Sequence, residues 1–249
     1  MPLAFRKINE VSAALAPLIF IHGAMSSHLV WLALARELSS QSPSHAMFLV
    51  DFPGHGESKS EPCKTVEDYA ASVLQFMDDN QIEQAILIGH SMGGAIAQQL
   101  AMDHPMRVKQ MVLLSTGARL GVTPQVMEGL QDHFDTATDM IGGFVFGPNA
   151  DPAIVAPSVK LMKAAGKKTS IADFTACGAF DSVGKIDSIQ IPAIVICGDK
   201  DMMTSAKNNK RLAASIGCPY FELEGIGHML QLEASKKAAE IISGFLKKP

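Results

Sequence analysis

The 249-residue chain predicts an α/β fold: a mostly parallel sheet covered by helices on both faces, with a helical lid inserted late in the sequence. Three observations carry this expectation. Short apolar runs rich in β-branched residues alternate with helical patterns, as they do when strands are buried on both faces. The alternation fails once, between residues 120 and 185. The composition, 47% hydrophobic and 18% charged, suits one large core rather than a disordered chain. Residues 1–119 and 186–249 are therefore read as the core and 120–185 as an inserted helical cap, with ligands expected at the carboxyl ends of the strands.

The elements follow in order. Residues 17–21 (PLIFI), 46–50 (AMFLV), 85–88 (AILI), 111–114 (MVLL) and 193–197 (AIVIC) read as strands, and 220–223 as strand-like. Helical patterns occupy 31–38, 66–80, 94–103 and 205–216. Thr65, with Asp68 three residues on, marks one helix start, and Pro105 after His104 marks a helix end. A last helix over 234–246 presents Ala238, Ile241, Ile242 and Phe245 at helical spacing. In the insert, 124–141 and 154–165 look helical, punctuated by Gly142, Gly143, Gly147, Pro148 and Pro152.

Charge and cysteine usage exclude several functions. A net charge of -4 leaves no basic footprint for nucleic acid. After Arg6 and Lys7 the N-terminal stretch is broken by Asn9, Glu10, Ser12 and Pro17, which fits neither a signal peptide nor a membrane span. A cytoplasmic protein without membrane association is expected. Cys63, Cys177, Cys197 and Cys218 form no C-x-x-C pair, and the eight histidines are not spaced as ligands. Neither a metal nor a cofactor is expected.

Gly89-His90-Ser91-Met92-Gly93 fits G-x-S-x-G, the turn that exposes a serine between a strand and a helix. Such a turn brings backbones together, which Gly93 and Gly94 allow. A serine hydroxyl needs a base, and His228 in GIGHMLQLE lies between a strand and the last helix. The base needs an acid, for which CGDKD offers Asp199 and Asp201 after the strand at 193–197. An oxyanion would be met by the N–H of Met92, after the serine, and by that of Ala24 in His22-Gly23-Ala24-Met25, with Met25 as the second choice.

These segments, together with DFPGHGES (51–58), HPMRVKQMVLLS (104–115) and IPAIVICGDKD (191–201), give the chain its family likeness. It resembles the α/β-hydrolases of the cap-bearing serine esterase type over nearly its whole length. The resemblance implies a Ser-His-Asp triad, and its G-x-x-D spacing selects Asp201 over Asp199. Ser91 stands where haloalkane dehalogenases and epoxide hydrolases of this fold carry aspartate. Ala24-Met25-Ser26-Ser27 departs from the glycine and proline that C–C bond hydrolases carry there.

The expected activity is hydrolysis of small to medium, mostly apolar carboxylic esters through an acyl-enzyme. Met25, His90, Met202 and Met229 adjoin the catalytic loops and are assigned to the substrate pocket. His22 and His55 are read as braces. The alternatives are C–C bond hydrolase, enol-lactonase, thioesterase or acyl-carrier methyl-ester esterase chemistry at the same triad, and a ligand receptor on the same fold. Lys160, Lys163, Lys167 and Lys168 in the lid are read first as a solvated helix face and second as a site for an acidic carrier protein.

Overall fold

A computed structural model of the chain describes residues 2–9, 15–42 and 44–247; Glu10 and Ser12 lie outside them. The strands are β1 (Ala4–Ile8), β2 (Leu18–Ile21), β3 (Met47–Asp51), β4 (Ala85–His90), β5 (Val108–Leu114), β6 (Ala193–Gly198) and β7 (Tyr220–Leu223). They form one seven-stranded sheet in the order β1-β3-β2-β4-β5-β6-β7. Only β1 runs antiparallel, pairing Ala4 with Asp51 and Ile8 with Met47. Each parallel connection needs a crossover, and helices supply it.

The order of appearance is α1 (Leu32–Gln41), α2 (Val66–Asp79), α3 (Met92–Asp103), α4 (Pro124–Asp132), α5 (Phe134–Val145), α6 (Pro152–Ala179), α7 (Ala206–Ile216), α8 (Leu230–Glu233) and α9 (Ser235–Leu246). Strand residues alternate between two faces. Ile19, Ile21, Leu87 and Val195 pack with side chains of α2, α3 and α7, while Leu18, Phe20, Ile86 and Ile194 pack with α1 and α9. Both sets are buried, so the strands read as continuous apolar runs although their packing alternates.

Thr65 caps α2 by accepting from the Asp68 N–H at 3.1 Å, as the sequence indicates. α3 begins at Met92, two residues before its alanine-rich pattern, because Ser91 already turns the chain. Between β5 and β6 lie α4, α5 and α6. The stretch 124–141, expected as one helical segment, is divided at His133, whose φ of -139° and ψ of 53° end α4 and start α5. α6 is longer than the helical pattern at 154–165 and is broken at Gly166, with φ 80° and ψ 156°. β1 escaped the sequence reading: as an edge strand with its central residues exposed, it has no apolar run to betray it.

Candidate active site

Ser91 sits between β4 and α3 with φ 53° and ψ -119°, a left-handed conformation that costs a non-glycine residue energy. Close packing holds it there. A Cβ on Gly93 would lie 2.0 Å from the Ile21 carbonyl oxygen, and one on Gly89 2.3 Å from that of Gly93, so only glycine fits either place. The Ser91 N–H donates to Leu114 O at 3.0 Å, and the Thr116 hydroxyl donates to Ser91 O at 2.8 Å. The Met92 N–H heads α3, where first-turn amides lack intrahelical acceptors.

His228 lies 4% exposed on the loop between β7 and α8, with Nδ1 2.9 Å from Asp201 Oδ2. Of the two carboxylates in CGDKD, Asp201 is the one that His228 contacts. Asp201 follows β6, is buried, and receives the Met203 and Thr204 N–H groups on Oδ1 and the Thr204 hydroxyl on Oδ2, all at 2.8 Å. Burial alone would push its carboxyl up. The charge and hydrogen bond of His228, with the Thr204 donors, outweigh that and hold it well below the usual carboxylate range. Asp199 accepts instead from the Gly225 N–H at 2.6 Å and pairs with Lys200.

Polar residues that sequence reasoning passed over join the two halves of the site. Asn209, fully buried in α7, accepts from the Thr116 N–H at 2.9 Å and donates to Thr204 O at 2.7 Å. Thr116 bonds to Ser91 and Thr204 to Asp201, so the chain of contacts runs unbroken from the serine turn to the acid. An asparagine on the apolar side of α7 was the available signal.

The His228 loop is held from the other side by α5. The N–H groups of His228 and Met229 both donate to Val145 O, at 2.8 and 3.1 Å. Glu233 Oε2 accepts from Gly147 N at 2.8 Å and Gly227 N at 3.2 Å.

Ser91 and His228 face one cavity, whose empty space of about 840 Å³ includes its opening to solvent. Of the sequence-assigned residues, Ala24, Met25, His90 and Met229 also line it. Met202 does not. The turn that wraps Asp201 directs Met202 outward, 70% exposed, and Met203 lines the cavity in its place. The stretch between β5 and β6 adds Ile141, Val145, Leu161, Met162 and Phe174, and among the described residues no lining side chain is an aspartate, glutamate, lysine or arginine.

His90 is buried, donates from Nε2 to His228 O at 2.9 Å, and is pushed down to about 3 by burial and by the neighbouring charge of His228. His22 accepts the Phe52 N–H at Nε2, 3.3 Å away, and so braces the adjacent turn. The Met25 N–H donates at 2.8 Å to Asp173 of α6, so it is already committed, unlike a donor free to meet a ligand. No helix among the described residues is long and apolar enough to cross a membrane, and no group of three or more metal-ligating side chains gathers among them.

A serine on a strained strand-to-helix turn, beside a histidine–aspartate pair at the carboxyl edge of a parallel sheet, defines the nucleophile-elbow class of α/β proteins. The chain belongs to the alpha/beta hydrolase fold family, whose model matches residues 16–142. Over 120 residues it is 36% identical to the dihydrolipoyllysine-residue acetyltransferase component of the acetoin cleaving system of Cupriavidus necator, covering 48% of this chain and 30% of that one. Over 121 residues it is 33% identical to the pimeloyl-[acyl-carrier protein] methyl ester esterase of Salmonella heidelberg, covering 46% of this chain and 44% of that one. The match thus spans less than half the length of either curated relative. Among solved structures, a hydrolase from Pseudomonas aeruginosa superposes with a TM-score of 0.89 at 24% identity, covering 99% of this chain and 94% of that one. The enol-lactonase from Burkholderia xenovorans gives 0.89 at 24%, covering 99% and 96%. These likenesses show a shared fold.

Proposed function

We propose that the chain is a serine hydrolase acting on small to medium, uncharged and mostly apolar carboxylic esters. The observation that carries the reading is the Asp201–His228 hydrogen bond of 2.9 Å beside the cavity that Ser91 also lines. With Nδ1–H held by Asp201, His228 keeps the Nε2 lone pair to take the Ser91 proton as Oγ attacks the ester carbonyl. The N–H groups of Met92 and Ala24 receive the oxyanion; the commitment of the Met25 N–H to Asp173 favours Ala24. The alcohol departs with the proton from His228, and water, activated by the same imidazole, releases the acid. Residues 120–185 act as the cap that shapes the apolar side of the cavity. The apolar lining from Val30, Ile141, Val145, Met162 and Phe174 supports an uncharged substrate group.

A second reading, an acyl-carrier methyl-ester esterase, is favoured by the 33% identity to the Salmonella enzyme and by the cap lysines. Lys163 pairs with Asp139 and Lys168 with Glu61, whereas Lys160 and Lys167 are exposed and make no ion pair among the described residues. The acidic carrier protein would meet these two. The test is hydrolysis of 4-nitrophenyl esters from acetate to decanoate by the wild type and Ser91→Ala side by side. A burst followed by turnover, lost in the variant, supports the esterase reading. Equal inertness of both proteins sinks it for simple esters.

A further inference from the structure

Asp173 is a fully buried carboxylate in the second half of α6, far in sequence from the catalytic loops. Its Oδ2 accepts from the Met25 N–H and from His55 Nε2, each at 2.8 Å, and its Oδ1 accepts from the Tyr69 hydroxyl at 2.7 Å. His55 Nδ1 faces the Pro53 carbonyl oxygen at 3.0 Å, so both ring nitrogens point at acceptors and both must donate. A charged imidazolium meets that demand. Consistently, burial drives the His55 imidazole down, but the charge and hydrogen bond of Asp173 outweigh it and leave it raised.

The placement of the Met25 bond is what matters. Met25 follows Ala24 and is itself held at φ 55°, a strained conformation for a non-glycine residue. The only buried carboxylate of residues 120–185 therefore fixes the loop whose neighbouring amide would meet an oxyanion. A lone structural role is a poor account of it: one polar hub would serve stability equally well anywhere in the interface, whereas this one grips a strained catalytic-loop amide. The next residues of the same half-helix, Phe174 and Cys177, line the cavity.

We infer that Asp173 is a positioning residue for the oxyanion loop, holding the Ala24 N–H in register with that of Met92 through its hydrogen bond to the Met25 amide. The inference rests on the serine-hydrolase reading above. Transition-state donors are sensitive to position, and a displacement of the order of 1 Å costs roughly 100-fold.

The test measures the rate at which an alkyl fluorophosphonate labels Ser91, a reaction that places a phosphoryl oxygen where the oxyanion would sit and needs no knowledge of the natural ester. Rates are expressed per folded molecule, with the folded fraction taken from circular dichroism. Labelling of the wild type that disappears in Ser91→Ala establishes the baseline. Against it, Asp173→Ala is expected to label about 10- to 100-fold more slowly. Asp173→Asn keeps a carbonyl oxygen for the Met25 amide and should restore the rate to within about 3-fold. Tyr69→Phe removes a bond from the same carboxylate without touching Oδ2, so it should lower stability and leave the rate near wild type. If Asp173→Ala does not fold, Asp173→Ser, whose hydroxyl falls short of Met25, is expected to show the same slowing. Wild-type rates in the alanine or serine variant overturn the positioning role alone. Absence of wild-type labelling at Ser91 overturns the hydrolase reading and this inference with it.

Discussion

Asp201→Asn should abolish most ester turnover, and the hydrogen bonds around the side chain say why. Oδ1 receives two backbone amides, from Met203 and Thr204, so the carbonyl oxygen of an asparagine must occupy that place. Its NH2 group is then forced into the Oδ2 position, facing His228 Nδ1. Two donors cannot share one hydrogen bond, so the imidazole must carry its proton on Nε2 and loses the lone pair that would take the Ser91 proton. The same carboxylate-to-amide exchange in a serine triad costs about 10⁴-fold in kcat, or roughly 5.5 kcal/mol of barrier. The assay is steady-state hydrolysis of 4-nitrophenyl butyrate by Asp201→Asn and Asp199→Asn in parallel. Because Asp199 bonds to Gly225 and Lys200 instead, its variant should stay within about 3-fold of wild type. An Asp201→Asn enzyme within 10-fold of wild type, or an Asp199→Asn enzyme equally dead, would refute this reasoning.

Gly93→Ala tests the tight passage at the serine turn: the new Cβ would lie 2.0 Å from Ile21 O, about 1.3 Å inside an ordinary ~3.3 Å contact. Urea unfolding should register a loss of about 3 kcal/mol or more, and an unshifted midpoint would contradict the packing described. Met203→Phe should move the acyl-chain optimum of the ester series toward shorter chains, whereas Met202→Phe, at a solvent-facing position, should leave it unchanged. Stability should fall on acidification below pH ~6.5, because the depressed imidazole of His90 stays neutral in the folded chain while the unfolded chain takes up its proton. This loss continues until pH approaches about 3, and His22, also lowered by burial, adds to it. The raised His55 acts oppositely, its contribution being complete at low pH and lost only as pH rises through its folded value. His90→Gln should therefore flatten the slope between pH 6 and 4 by up to ~1.4 kcal/mol per pH unit, measured by urea titration at several pH values; an unchanged slope would argue against a neutral buried His90.

What the sequence disclosed depended on whether the physics was local. Strands such as 193–197 announce themselves because burial on both faces demands an unbroken apolar run. The G-H-S-M-G turn is legible because its glycines answer contacts that any such turn creates. β1 is different: a half-exposed edge strand has no burial to record, and only its pairing with β3 makes it a strand. The choice between Asp199 and Asp201 needed the family's spacing, since both carboxylates follow the same strand and only the fold decides which reaches His228. Met202 and Met203 were likewise inseparable until the wrapping of the chain around Asp201 turned one outward. Asp173 was overlooked because its partners come from three distant segments. Its one local trace is an acid set among buried residues of an apolar helical face beside Phe174 and Cys177.

The break in α6 at Gly166 gives one helix two careers. Behind it, Thr169 reaches Gly54 O at 3.1 Å and Asp173 grips the loops beneath, so this half is tied to the strand-end loops. Ahead of it, Ser158, Leu161 and Met162 line the cavity while Lys163 pairs with Asp139 of α5, and a side chain at Gly166 itself would meet nothing within 4 Å. The break therefore separates a half that shapes the cavity from a half that holds the loops, so a change of shape ahead of residue 166 need not disturb the grip behind it.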